Sequence, residues 1–324
     1  MKPPQAPPPF AMLQRKQGTS PERLVQLLAS STPTPGGRYY HWDKLRHLTP
    51  PAGLSTEEWW YGVKIARNIM KRKLPLLDLR GEPFSYSIPD EVERLIHAVD
   101  RQAAGRIAMP SPITNTDSRD QYLVDSLIEE AITSSQLEGA ATNRRVAEEM
   151  IRQGRAPATG DEKMIANNFV AMRHIRTLRD REVTIDRLLE LHRMLTEETL
   201  DDPTAAGRLR REGETIEVVD RETGITVHRP PPAANLETRL EKLCAFANRG
   251  ADAMPFVHPV VNAILLHFWL AYEHPFVDGN GRTARALFYW QMARQDYWLI
   301  EFVSISAVLK KARARYSRSF LYTE

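Results

Sequence analysis

Twelve residues from His274 to Arg285 read HPFVDGNGRTAR and combine side chains that suit chemistry at a phosphate group. His274 can accept a proton near neutral pH, as a general base must. Asp278 offers a hard carboxylate, the type of ligand that holds Mg²⁺ beside substrate phosphates. Together, these residue types predict a site for a phosphorylated substrate.

A glycine-rich turn follows the carboxylate and can bind an anion. Gly279, Asn280 and Gly281 permit a tight turn whose backbone N–H groups can approach phosphate oxygens. Arg282 and Arg285 carry fork-shaped donors for the same oxygens. Because good helix formers follow the turn, we expect it at a helix N-terminus, where an anion is favoured.

The twelve residues resemble the signature of the Fic family, HPFx(D/E)GNGRxxR, at every specified position. The resemblance implies transfer of AMP from ATP to a Ser, Thr or Tyr hydroxyl of a protein. It implies His274 as the general base and Asp278 as the Mg²⁺ ligand. The residues it implies for ATP phosphate binding are Gly279, Asn280, Gly281, Arg282 and Arg285. The alternative is that these residues form a structural loop, in which His274 caps a helix and the arginines are solvated.

A second motif ends a helix that the sequence predicts over 116–140. One apolar stripe supports that helix. Its members are Leu123, Leu127, Ile128 and Ala131. Ser134 and Glu138 fit the pattern (S/T)xxxE(G/N), which marks an inhibitory helix in the Fic family. A carboxylate at a helix C-terminus needs a nearby cation, and the resemblance names Arg285. An exposed last-turn glutamate of no consequence is the alternative.

A β-hairpin is predicted at about 214–229, where the helical rhythm breaks. Val218 and Val219 lie on its first strand, before a turn that contains glycine. In Fic proteins the hairpin at this place is a flap that docks the extended backbone of the target protein. The resemblance therefore gives these valines a target-docking role, and a purely structural hairpin is the alternative.

Helical patterns dominate the rest, so the predicted fold is mainly α, with a Fic-type helical core over 141–300 and a small helical region before it. Pro275 is expected to end the helix that carries His274. Residues 301–324 read as one C-terminal helix, shortened relative to family members that continue into a winged-helix module. Tyr316 matches, by family position, a tyrosine that lines the nucleoside pocket.

The N-terminal third has no chemical role that its sequence reveals. Residues 1–37 are proline-rich and are expected to form a flexible tail. Residues 38–115 are expected to form a helical region of unknown role. Ser55 and Glu58 predict a capping box at the start of one of its helices.

Composition narrows the class of protein. A net charge of +3, spread over 324 residues, gives no basis for nucleic-acid binding within this chain, although a missing C-terminal module would be its place. The single cysteine, Cys244, excludes an internal disulfide framework and favours a reducing compartment. Neither a secretory signal nor an apolar run of membrane-spanning length is present, so we expect a cytoplasmic protein.

The predicted cofactors are ATP and Mg²⁺, and the predicted partner is a protein with a hydroxyl side chain, a class that includes the chain itself. Two other functions stay open. The same site could remove AMP from a modified protein, with Glu138 orienting a water molecule. A nucleotide-gated regulatory protein without transfer activity is the other alternative, although sensing alone needs no base such as His274. A homodimer also stays open.

Overall fold

The structure, a computed structural model, describes residues 3–16, 20–104, 116–220, 223–250 and 252–323. The chain divides into two compact units. The first comprises Met1–Ala98 together with Arg318–Glu324, and the second comprises Val99–Ser317. The described part of the chain contains no helix that is both long enough and apolar enough to cross a membrane.

The first unit is built from short helices and a hairpin. Its elements are α1 (Phe10–Lys16), α2 (Pro21–Ala29), α3 (Trp42–Leu45), α4 (Thr56–Ile69), β1 (Arg72–Leu77) and β2 (Pro83–Tyr86), and α5 (Asp90–Ala103) continues into the second unit. The predicted capping box at the start of α4 is confirmed, since the Ser55 and Glu58 side chains each bond the other's backbone N–H.

The segment expected as a flexible tail contains α1 and α2 instead. Leu13 and Leu27 are fully buried in one cluster with Trp59 and Trp60. Ser20 caps α2 by accepting from the Arg23 N–H at 3.3 Å. The proline-rich composition concealed two short helices whose leucines gain enough burial in this aromatic core to offset the entropy of ordering.

The hairpin of β1 and β2 was not predicted. The strands pair antiparallel with Arg72 opposite Tyr86 and Leu77 opposite Pro83, and the register shifts between Lys73 and Leu77. Pro75 lies within that irregular stretch. Proline removes a backbone donor and is tolerated at a bulge or strand edge, so the sequence pattern reads poorly as a strand.

The second unit carries the predicted motifs. Its elements are α6 (Thr116–Leu137), α7 (Arg144–Gln153), α8 (Gly160–Ile175), α9 (Ile185–Thr196), β3 (Val218–Val219), β4 (Thr226–His228), α10 (Leu236–Ala247), α11 (Pro259–Glu273), α12 (Asn280–Arg294) and α13 (Ile305–Lys311), and α14 (Arg313–Leu321) begins in it. The mainly α fold is confirmed. Residues 301–324 hold two helices rather than one, because Ala312 leaves the helical conformation with φ −123° and ψ 34°.

Packing in this unit places α12 at its centre. α12 contacts α11, α9, α8 and α6, and α6 also packs on α8 and α13. The predicted stripe of α6 is confirmed, because all of its members are buried. They are Leu123, Leu127, Ile128 and Ala131. These contacts bring the end of α6 to the start of α12, far away in sequence.

Candidate active site

His274 lies at the end of α11, as the sequence predicts. Its backbone N–H donates to the Leu270 carbonyl, and its φ and ψ of 46° and 56° are left-handed. This conformation ends the helix, and Pro275 cannot continue it. His274 is therefore held on a rigid helix terminus rather than on a loop.

The imidazole of His274 is oriented by its own helix. Nδ1 lies 3.2 Å from the Ala271 carbonyl oxygen. Because a carbonyl only accepts, Nδ1 carries the proton and Nε2 is the unprotonated nitrogen of the neutral ring. Burial lowers the pKa of His274 to about 4. The ring is therefore neutral at pH 7 and can take a proton on Nε2.

Asn280 closes the turn that follows His274. Its Oδ1 accepts from the Phe276 N–H at 3.0 Å, and its Nδ2 donates to the Phe276 carbonyl at 2.8 Å. The side chain of Asn280 is thus committed to the turn. Only its backbone N–H, in the first turn of α12, remains for the phosphate contact that the sequence predicts.

Gly279 precedes α12 in a conformation that other residues rarely adopt. Its φ is +78°, and a Cβ there would stand 2.6 Å from Thr196 Cγ2 and 3.3 Å from His192 Nε2. Strain and collision therefore both require glycine. The turn packs so closely on α9 that the first N–H groups of α12 are fixed in place, and the helix dipole favours an anion before them.

Asp278 points its carboxylate outward at this turn. The side chain is 64% exposed, and Oδ2 lies 3.7 Å from Arg282 Nη2. Among the described residues, no group of three His, Cys, Asp or Glu side chains could enclose a metal ion. A single accessible carboxylate fits Mg²⁺ that takes its other ligands from water and substrate phosphates.

Arg282 is buried with part of its guanidinium unsatisfied. The residue is 1% exposed, and Nη1 donates to the Leu195 carbonyl at 2.7 Å. Nε and Nη2 have no hydrogen-bond partner in the described residues. Buried donors without acceptors are costly. The arrangement suits a residue that donates to a bound anion.

Arg285 contacts the end of α6. Its Nε donates to Ser134 Oγ at 2.8 Å, and Nη2 donates to the Ser134 carbonyl at 2.9 Å. Nη2 also lies 2.7 Å from Glu138 Oε1. The structure therefore brings together the three residues that the two sequence motifs connect.

Glu138 is charged in this contact. Burial raises the pKa of its carboxyl, but the charge and hydrogen bond of Arg285, with smaller contributions from Arg282 and His274, together hold the pKa below its usual value. A Cβ at Gly281 would lie 2.1 Å from Glu138 Oε1. The glycine at the start of α12 thus leaves the space in which the carboxylate reaches Arg285.

A buried carboxylate that sequence reasoning missed ties α6 to α13. Glu130 is 2% exposed and accepts from Tyr289 Oη at 2.7 Å, Ser304 Oγ at 2.9 Å and the Ser306 N–H at 2.9 Å. Burial raises its pKa. Only the three-dimensional packing reveals these partners, since they lie more than 150 residues away.

The predicted hairpin is present, with short strands. Val218 pairs with His228 and Val219 with Thr226, and Val219 is 44% exposed. The strands are shorter than the predicted span of 214–229, and residues 221–222 of its turn lie outside the described residues. The docking role of the two valines stays a prediction.

Arg210 fastens the base of this hairpin to the helix end that carries His274. Its backbone N–H donates to the Pro275 carbonyl at 2.9 Å, and its Nε donates to the His274 carbonyl at 2.9 Å. Its Nη2 donates to Pro231, beyond the second strand. Sequence reasoning missed Arg210 because nothing around it resembles a motif for a backbone clamp.

Tyr316 lies near the paired arginine. Its hydroxyl is 2.8 Å from His267 Nε2, and the charges of Arg285 and Glu138 both act on its pKa, which burial raises above the usual value. The structure thus places Tyr316 at the same end of the site as Arg285. Its role toward a nucleoside stays a prediction.

Residues 182–292 match the sequence model of the Fic/DOC family. Two curated relatives are both called protein adenylyltransferase Fic. The protein from Drosophila erecta is 33% identical over 116 residues, which is 36% of this chain and 21% of the relative. The protein from Drosophila ananassae is 32% identical over 130 residues, which is 40% of this chain and 24% of the relative. The match thus spans about a quarter or less of these relatives.

Solved structures show a similar fold. A Fic family protein from Desulfovibrio desulfuricans G20 superposes with a TM-score of 0.56 at 19% identity, covering 72% of this chain and 67% of that one. Fic-1 from C. elegans superposes with a TM-score of 0.50 at 20% identity, covering 71% of this chain and 67% of that one. At such identity the likeness concerns the fold alone.

Proposed function

The chain is a Fic family protein through residues 182–292, and from this premise we propose that it transfers AMP from ATP to a hydroxyl side chain of a protein. One observation carries the proposal. A neutral histidine with an available Nε2 ends α11, four residues before a carboxylate and an anion-binding helix start. That arrangement supplies a base and a phosphate site together.

His274 is the general base in this reaction. Nε2 takes the proton of the target hydroxyl as its oxygen attacks the α-phosphorus of ATP. A new phosphorus–oxygen bond forms, and the bond to pyrophosphate breaks, so pyrophosphate leaves with the electron pair. Nδ1 stays bonded to Ala271, which keeps the ring in place during the transfer.

The start of α12 binds the phosphates. Its backbone N–H groups and Arg282 donate to phosphate oxygens, and Arg285 does so when Glu138 is displaced. Asp278 would hold Mg²⁺, whose charge neutralises the negative charge of the phosphates. Arg282 and the backbone N–H groups are already positioned by α9 and the turn, so their orientation need not change during the reaction.

Glu138 and Ser134 restrain the resting enzyme. They occupy the donors of Arg285 that would otherwise meet the terminal phosphate. ATP bound without this contact is not held with its α-phosphate in line with the attacking hydroxyl. Transfer is therefore slow until the contact opens.

The flap orients the protein target. Among the described strands β3 pairs only with β4, so its other edge can accept an extended segment of the target. Main-chain pairing fixes the target near His274 without demanding a particular sequence. Val218 and Val219 would contact side chains of that segment.

Incubation with ATP labelled at the α- or the γ-phosphate tests the proposal. We expect protein labelling from α-labelled ATP only, raised about tenfold or more by Glu138→Gly. His274→Ala in that background should reduce labelling about a hundredfold or more, because the base is lost. Label from the γ-phosphate, or labelling that survives His274→Ala, would contradict AMP transfer. ATP binding without labelling would favour the regulatory alternative.

Removal of AMP from a modified protein is a second candidate. Glu138 stays charged and its field acts on His274, so a water molecule between them could be oriented for attack. Loss of AMP from a premodified target would then require Glu138 and fail in Glu138→Gly. Unchanged loss in that variant would exclude this role.

A further inference from the structure

His192, on α9, lies between two backbone groups of different loops. Its Nδ1 is 3.0 Å from the Gly207 nitrogen, and its Nε2 is 2.9 Å from the Asp278 carbonyl oxygen. The Gly207 N–H can only donate, so Nδ1 accepts. Nε2 must therefore carry the proton and donate to Asp278. The geometry alone defines the tautomer of this histidine.

The ring of His192 has little room to move. It is fully buried and stacks on Phe276 with ring centres 3.8 Å apart and planes at 6°. Gly279 packs against its Nε2 edge so closely that a Cβ would lie 3.3 Å away. Packing on one face and at one edge thus fixes the direction of the Nε2–H bond.

The hydrogen bond to Asp278 controls one peptide group of the turn. In a trans peptide the C=O and N–H bonds point in opposite directions. The Asp278 carbonyl points inward at His192, so the N–H of Gly279 points the opposite way, away from α9. That N–H precedes the N-terminal N–H groups of α12, which form the proposed phosphate site.

We propose that His192 is a positioning residue that holds the 278–279 peptide so that the Gly279 N–H faces the ATP phosphates. The inference rests on the proposed function. It gives a specific role to a histidine outside the HPFVDGNGRTAR motif, in place of a plain core histidine. A flipped 278–279 peptide would present a carbonyl oxygen to the phosphates instead, which repels them.

Two amide substitutions separate this role from packing. His192→Gln can place an N–H donor near the position of Nε2, whereas His192→Asn can place only an acceptor near Nδ1. If His192 merely satisfied Gly207, Asn would be the better replacement. If His192 instead positions the 278–279 peptide, we expect Gln to be the better replacement. Calorimetry measures the ATP affinity of both variants in a Glu138→Gly parent, with and without Mg²⁺.

Affinity for ATP should stay within about threefold of the parent in His192→Gln and fall about tenfold in His192→Asn. Equal affinities, or weaker binding by Gln, would overturn the proposal while leaving the proposed function intact. If the Glu138→Gly parent binds no ATP, both the role of His192 and the proposed function are contradicted. Nitrogen NMR of the His192 ring needs no substitution, and a proton found on Nδ1 instead of Nε2 would also overturn it.

Discussion

Arg282 and Arg285 lie one turn apart on α12, both almost fully buried, yet their surroundings differ. Arg285 donates twice to Ser134 of α6 and pairs with Glu138, the residue that follows α6. Arg282 donates once, to the Leu195 carbonyl of α9, and its Nε and Nη2 have no hydrogen-bond partner in the described residues, although Nη2 lies 3.7 Å from Asp278 Oδ2. One guanidinium is satisfied by the protein and the other is not.

The pKa values of Arg282 and Arg285 also shift in opposite directions. Burial lowers the pKa of Arg282, with Asp278 and Glu138 opposing the shift only in part. Burial also acts to lower the pKa of Arg285, but the charge and hydrogen bond of Glu138, together with Tyr316 and Glu130, outweigh burial and raise the pKa. A carboxylate from the chain therefore stands where an anion would bind Arg285, while Arg282 retains donors for one. We infer that α6 restrains one end of the site and leaves the other able to bind ATP.

Replacing each arginine in two parents tests this division most strongly. Arg282→Met should weaken ATP binding about ten- to a hundredfold whether Glu138 is present or replaced by Gly, because charged hydrogen bonds to phosphate are lost. Arg285→Met should weaken it by a similar factor only in the Glu138→Gly parent. Calorimetric titration with ATP and Mg²⁺ measures the affinities of the four variants and their two parents.

Thermal unfolding of the same six proteins controls for lost packing, since each arginine fills buried space. An equal loss of affinity for Arg285→Met in both parents would show that ATP reaches this arginine despite Glu138. The contrast between the two arginines would then concern stability alone.

Ser134→Ala should release Arg285 in part. The substitution removes the acceptor of Nε and leaves the Ser134 carbonyl and Glu138 in place. A hydrogen bond of this kind is worth roughly 1 kcal/mol, so transfer should rise about fivefold. Labelling with α-labelled ATP measures the rise.

Ser135→Ala is the matched control for Ser134→Ala. Ser135 is fully buried on the same turn, but its Oγ donates to the Met164 carbonyl rather than contacting Arg285. It should lower stability without raising transfer. Equal increases for the two alanines would mean that any loosening of α6 suffices, and the contact with Arg285 would not be the cause.

The sequence predicted those parts of the site that depend on local order. Twelve consecutive residues predict His274 at a helix end, glycines in the turn after it, and two arginines one helical turn apart. The apolar stripe of α6 could also be predicted, because the helical spacing of apolar residues is a local property of the sequence. The pairing of Glu138 with Arg285 came only from the family resemblance.

Contacts between distant segments could not be predicted in the same way. His192, Arg210 and Glu130 each bond backbone or hydroxyl groups far away in sequence, and such partners leave no spacing pattern. The prediction of a flexible tail over residues 1–37 was wrong for a related reason. Its proline-rich composition suggested disorder, but Leu13 and Leu27 find an aromatic core that only tertiary packing supplies.

The smallest expected effect is the pH dependence of the Glu138 contact. Its folded pKa lies below the usual value, so the carboxylate contributes stability above about pH 4.5 and loses that contribution as pH falls through the folded pKa. Urea unfolding should show the wild type to be more stable than Glu138→Gln at pH 7, with a difference that narrows below pH 4.5. Glu138 also raises the pKa of His274, which is about 4, so the measured difference includes the loss of that interaction.

Glu129→Gln provides the comparison on the same helix. Glu129 pairs with Arg144, whose side chain is 65% exposed, and such a surface pair contributes little to stability. The free energy of unfolding of Glu129→Gln should stay close to that of the wild type at every pH. If the Glu138→Gln difference is equally flat, the carboxylate is not held by charge. Arg285 would then be restrained mainly by the neutral Ser134 contacts, and α6 would act by shape instead of electrostatics.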